Sequence, residues 1–130
     1  MSGKRQVLFI CEHGSAKSVI AAAHLDRLAR ERGDSVHARS RGTNPDSTYP
    51  PHVVAGLAAE GLVPLDDAPC QLGPSDFDAV TDVITFCDVM SPPGTSAKTY
   101  SWADVPAISD DYATARDEIV RRIEIMLSEM

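Results

Sequence analysis

The stretch VLFICEHGSAKS, residues 7–18, sets an apolar run against a short polar loop that holds one glycine and two serines. Val7 to Ile10 is β-branched and aromatic with no polar alternation, the pattern of a strand buried on both faces. The residues that follow, VIAAAHLDRLARER, repeat Ala21, Leu25 and Leu28 at helical spacing, with Asp26, Arg27, Arg30 and Glu31 mostly elsewhere. The spacing predicts a strand over about Gln6 to Ile10 or Cys11, a loop, and a helix over about Lys17 to Arg32, with Gly33 as its stop. A loop with little steric bulk, leading into a helix N-terminus, gathers backbone N–H groups and the positive end of the helix dipole at one point. Such a place receives an anion. Glu12 to Ser15, with Gly14 in the middle and Lys17 after Ala16, meets the description. The same field favours the ionised form of a cysteine at the strand end. Cys11 stands there, so the stretch reads as an oxyanion cradle with a nucleophile in it.

The remaining chain alternates in the same way. SVHARSRG reads as a second strand ending at Gly42, and a helix follows from about Pro51 to Glu60, stopped by Gly61. Leu62 to Cys70 is expected to hold a short strand or turn, and Pro74 to Phe77 one helical turn. DVITFC, Asp82 to Cys87, is the clearest later strand. Asp88 to Lys98 reads as a loop and Thr99 to Trp102 as a final short strand. The last helix begins near Asp110 or Asp111, either of which can cap it, and carries Ala115, Ile119, Ile123, Met126, Leu127 and Met130 on one stripe. The order predicts an α/β domain, three layers αβα around a central and mainly parallel sheet. Ligands of such sheets sit beyond the carboxyl ends of the strands. Cys11 lies at one such end, and Cys87 at another if DVITFC is a parallel neighbour.

The 130 residues suit a single domain spanning 1–130. No apolar stretch approaches the ~20 residues that cross a bilayer, and no signal-peptide core or cleavage site follows MSGKRQVLFI. A cytoplasmic protein without a membrane partner is expected. The formal charge of −7 argues against nucleic-acid binding, while leaving room for a locally positive anion site. The three cysteines, Cys11, Cys70 and Cys87, are too widely spaced for a disulfide scaffold or a standard metal site, so no metal is expected.

CEHGSAKS resembles the C-x5-R-S/T loop of the low-molecular-weight protein tyrosine phosphatases and of the thioredoxin-coupled arsenate reductases that share their fold. VLFIC, RSRGT, PPHVVAGLAAEG, FDAVTDVITFC and a W-A-D-V-P segment occur in the family's order. The resemblance implies that Cys11 is the nucleophile and that Ser18 hydrogen-bonds its sulfur. It implies an oxyanion held by the loop Glu12, His13, Gly14, Ser15, Ala16 and Lys17. Three departures fall in the site. Lys17 replaces an arginine that clamps two oxygens of the anion, and lysine is a point charge rather than a planar fork. Gly14 stands where an asparagine is common. Asp104-Val105-Pro106 displaces by one residue the Asp-Pro whose aspartate is the phosphatases' general acid. Cys87 matches the second thiol of the reductases, which the phosphatases usually lack. DVMSPPG supplies no third cysteine, and Cys70 matches no family thiol.

The expected activity is therefore arsenate reduction through Cys11 with Cys87 as second thiol. No bound cofactor is expected, and an external reductant such as thioredoxin or a small thiol would complete the cycle. The alternatives are a phosphatase working through a phosphocysteine with Asp104 as acid, and an oxyanion-binding regulatory protein without turnover. His13 is a candidate to hold or relay a proton. His24, His37 and His52 are expected on the surface, and Tyr100 and Trp102 in packing roles.

Overall fold

The computed structural model describes residues 5–87, 97–108 and 110–129. Its four strands are β1 (Arg5–Cys11), β2 (Val36–Gly42), β3 (Asp82–Thr85) and β4 (Lys98–Ser101). They form one sheet in the order β2-β1-β3-β4, with every pairing parallel. The helices are α1 (Lys17–Arg32), α2 (Pro51–Ala58) and α3 (Tyr112–Ser128), and a 3-10 turn covers Pro74–Phe77.

β1 is central, and its side chains alternate between two cores. Val7, Phe9 and Cys11 join Val19, Ile20 and Leu25 of α1, Val53 and Leu57 of α2, and Ile119 and Ile123 of α3. Leu8 and Ile10 point the other way, to Val80 and Val83, with Leu72 and Phe77 packed against them. Burial on both faces is why the run lacks polar alternation. The fold is thus a three-layer αβα sandwich whose second layer, among the described residues, is built around the 3-10 turn.

Strand order places the site. The chain leaves β1 for β2 on one side and pairs β1 with β3 on the other, so the crossover direction reverses between β1 and β3. A crevice opens at such a reversal, beyond the carboxyl ends of the two strands. Cys11 is the last residue of β1, and Cys87 comes two residues after β3 ends.

Several expected boundaries shift. β3 stops at Thr85 as a strand, although the N–H of Phe86 still donates to the Ile10 carbonyl at 2.8 Å. β4 starts one residue early. α2 ends at Ala58, and Gly61, with φ +75°, turns the chain out of it. No strand forms over 62–70, where Pro64 and Pro69 lack the N–H a ladder needs; pairing there is a single bridge from Gly42 to Gln71. Asp111 is the cap of α3, accepting from the Thr114 N–H at 3.1 Å. The predicted loop from Asp88 lies outside the described residues up to 96, as does Met130.

His24 corrects a surface expectation. Every residue from Ser18 to Leu25 is buried, because three alanines in that run let neighbouring elements close over most of the first half of α1. The imidazole of His24 is fully buried against Glu60, with Arg27 on its other side. His37 and His52 are exposed as expected.

Candidate active site

The cradle is folded by its own hydrogen bonds. The carbonyls of Cys11, Glu12 and His13 accept from the N–H groups of Thr43, Asn44 and Asp46 at 3.2, 2.7 and 3.0 Å. A planar trans peptide turns its N–H opposite to its carbonyl. The N–H groups of Glu12, His13 and Gly14 therefore face away from the 43–46 segment. Among the described residues, no backbone N–H from Glu12 to Val19 donates to a protein acceptor. The last of these are the orphan donors of the first turn of α1. α1 also has no side-chain cap at Ala16. This is an array of unspent donors at a helix N-terminus, which suits an anion.

Gly14 carries the bend, with φ +60°. It also touches Gly42, the last residue of β2: a Cβ on Gly14 would lie 2.8 Å from the Gly42 nitrogen, and one on Gly42 would lie 2.7 Å from the Gly14 nitrogen. Asparagine tolerates the left-handed region and glycine does so freely, but this approach leaves no room for any side chain. The missing asparagine is thus part of a two-glycine contact.

Cys11 Sγ lies 2.9 Å from Ser18 Oγ, with both residues buried. A hydroxyl at that distance donates to a thiolate and steadies its charge. Lys17 reaches across the site, and its Nζ donates to the Val105 carbonyl at 2.7 Å. The lysine therefore links the cradle to the segment that precedes α3.

A cleft of about 470 Å³ opens over the cradle. Cys11, Glu12, His13, Ser15, Ala16 and Lys17 line its floor. Its walls include Phe86 and Cys87 after β3, Pro50 and His52 at the start of α2, and Ala107 and Ile108. Cys11 and Cys87, 76 positions apart in the sequence, thus share one cavity. Gly14 is buried beneath the floor.

One expected participant lies elsewhere. Asp104 does not line this cleft; its carboxylate accepts from both terminal nitrogens of Arg122, each at 2.9 Å. The hydrogen bonds from Arg122 hold its carboxyl below the usual carboxylate range. Cys70 also stays outside the cleft, its Sγ 3.4 Å from the Ala68 carbonyl, and burial pushes its thiol up. Trp102 packs edge-on to Phe86 with 5.9 Å between centroids, and the Arg122 guanidinium lies over it at 5.8 Å.

Asp46 was not foreseen. It lines the cleft and accepts from Ser15 Oγ at 2.8 Å, while His13 Nδ1 lies 3.4 Å from its other oxygen. Nothing in the spacing of TNPDSTYPP marks it. Only the folding of the 43–46 segment onto the cradle brings it there.

Comparison with known proteins agrees with this fold. The family model for the low molecular weight phosphotyrosine protein phosphatases matches residues 6–100. No curated protein sequence matches the chain. Among solved structures, the thioredoxin-dependent arsenate reductase of Corynebacterium glutamicum is 31% identical, with a TM-score of 0.83 over 98% of this chain; the chain spans 62% of that protein. An arsenate reductase from Archaeoglobus fulgidus is 26% identical, with a TM-score of 0.72, covering 94% of this chain and 98% of that one. The low molecular weight protein tyrosine phosphatase of T. tengcongensis shares the fold at 18% identity, with a TM-score of 0.84 and coverage of 98% of this chain and 100% of that one.

Proposed function

Since the chain belongs to the low molecular weight phosphotyrosine protein phosphatase family, we propose that it works on that scaffold as an arsenate reductase. The observation that carries this reading is the presence of Cys87 in the wall of the cleft that has Cys11 in its floor. Reduction by two thiols needs such a pair, and hydrolysis of a phosphate ester does not. The position of Asp104 supports the same choice, because its pairing with Arg122 takes it away from the role of acid for an ester leaving group.

Arsenate binds the free N–H groups of Glu12 to Ser18, with Lys17 supplying positive charge. The Cys11 thiolate, steadied by Ser18, attacks arsenic. One arsenic-bound oxygen leaves as water, and a sulfur–arsenic(V) bond forms. The Cys87 thiolate then attacks Cys11 sulfur. The sulfur–arsenic electron pair passes to arsenic, which departs as arsenite, and a Cys11–Cys87 disulfide remains. An external dithiol such as thioredoxin, or two equivalents of a small thiol, reduces it. The sum is arsenate plus two thiols giving arsenite, one disulfide and one water.

The test is a paired assay on one preparation: arsenate-dependent oxidation of a thioredoxin supply, and hydrolysis of an aryl phosphate. The expected result is arsenate turnover that Cys11→Ser and Cys87→Ser each abolish, with little hydrolysis. Aryl phosphate turnover that needs Cys11 but not Cys87, without arsenate reduction, would replace this reading with a phosphatase.

A further inference from the structure

We propose that His13, oriented by the carboxylate of Asp46, is the proton donor of this site. The inference rests on the reading of Cys11 as a nucleophile towards a bound oxyanion. When thiolate attacks arsenic or phosphorus, an oxygen must leave, and it leaves far more readily once protonated. Asp104 is engaged by Arg122 and lies outside the cleft. A donor has to come from the cleft itself.

His13 is two residues from Cys11 and lines the same cavity. Its Nδ1 faces Asp46 Oδ1 at 3.4 Å. Asp46 is itself fixed twice: Ser15 Oγ donates to its Oδ2 at 2.8 Å, and its own N–H donates to the His13 carbonyl at 3.0 Å. Ser15 and the backbone thus hold the carboxylate beside the ring. A carboxylate on Nδ1–H orients an imidazole and stabilises its protonated form, leaving Nε2 to exchange a proton. The His13 side chain is 53% exposed, so solvent can return the proton. The titratable groups around it are Asp46 from the 43–46 segment, Glu12 and Lys17 from the cradle, His52 from the first turn of α2, and the thiols of Cys11 and Cys87.

In the step proposed, the Cys11 sulfur–arsenic bond forms while an arsenic-bound hydroxyl takes the proton of imidazolium Nε2 and departs as water. Arsenic stays pentavalent, and neutral His13 recovers a proton from solvent. His13 is the catalytic residue and Asp46 the positioning residue. Ser15 holds Asp46.

The experiment measures single-turnover rates across the neutral pH range for wild type, His13→Gln, His13→Gly and Asp46→Asn, with arsenate and, separately, with an aryl phosphate. Protection of Cys11 from iodoacetamide by inorganic phosphate reports whether the cradle is intact. His13→Gln is expected to lose on the order of 10² in rate, to keep phosphate protection, and to differ from wild type in the shape of its pH–rate profile. Added imidazole should restore part of the His13→Gly rate, and Asp46→Asn should lose about tenfold. A His13→Gln protein that reduces arsenate at the wild-type rate overturns the donor and leaves the reductase standing. Loss of phosphate protection without imidazole rescue assigns the pair to cradle folding and also overturns the donor. If only the aryl phosphate turns over, and His13→Gln slows it, the donor stands and the reductase falls. Turnover of neither substrate overturns both.

Discussion

Lowering the pH from about 7.5 to about 5 removes about 2 kcal/mol of folding stability through His24 alone. The ring is fully buried on α1, the helix whose first turn makes the cradle. Arg27, which can only donate, lies 3.3 Å from His24 Nδ1, so that nitrogen accepts and the proton of the neutral ring sits on Nε2. Nε2 faces Glu60 Oε2 at 3.4 Å without the alignment of a hydrogen bond. Burial, opposed by Glu60 and aided by Arg116 and Arg27, lowers the pKa from 6.5 to about 4. The folded state therefore binds fewer protons than the unfolded one below about pH 6.5, and stability falls with pH. The contribution is fully present above 6.5, totals about 3 kcal/mol at about 1.4 kcal/mol per pKa unit, and is exhausted near pH 4. Glu60 is held below its ordinary 4.5, chiefly by its hydrogen bond from Arg116, so stopping at about pH 5 keeps its loss out of the measurement. The assay is urea unfolding of wild type and His24→Gln. With a slope near 2 kcal/mol per M, the wild-type midpoint falls by about 1 M over this range, and the variant's by much less. Parallel falls in the two midpoints would refute the reasoning.

Gly14→Ala places a side chain at φ +60° and against the Gly42 backbone; at least about 2 kcal/mol of destabilisation is expected, with loss of phosphate protection of Cys11, and a variant unchanged in both would contradict the two-glycine contact. Ser18→Ala removes the hydroxyl 2.9 Å from Cys11 Sγ. Alkylation of Cys11 by iodoacetamide at neutral pH is expected to slow by about tenfold, and an unchanged rate would deny the hydroxyl its role. Lys17→Arg keeps one N–H for the Val105 carbonyl and offers others to an anion. It is expected to raise aryl phosphate hydrolysis more than arsenate turnover, whereas an equal effect on both would count against the reading of the lysine.

Much of the fold was legible because its signals are local. The unalternating run of β1, the spacing along α1, Gly33 at φ +74° and the stripe on α3 each follow from a few neighbouring residues. The cradle was legible for the same reason, since Cys11 to Ser18 are contiguous. What escaped depends on distant contacts. Asp46 reaches the cleft only because three backbone bonds fold its segment onto the cradle. His24 is buried beside a Glu60–Arg116 pair that comes from far along the chain. The Lys17 bond to Val105 spans 88 positions. The pairing of Asp104 with Arg122 joins a loop to the middle of α3, which no motif around Asp104 announces.

The central claim is that Cys11 and Cys87 act as one redox pair on a bound oxyanion. Its most direct test is mass spectrometry of peptides from fully reduced protein after one equivalent of arsenate, with no external thiol present. The account predicts one arsenite released per chain and a disulfide joining the peptides of Cys11 and Cys87, with Cys70 still reduced. Protein whose three thiols all remain reduced, or a disulfide that joins Cys11 to Cys70 instead, would contradict it.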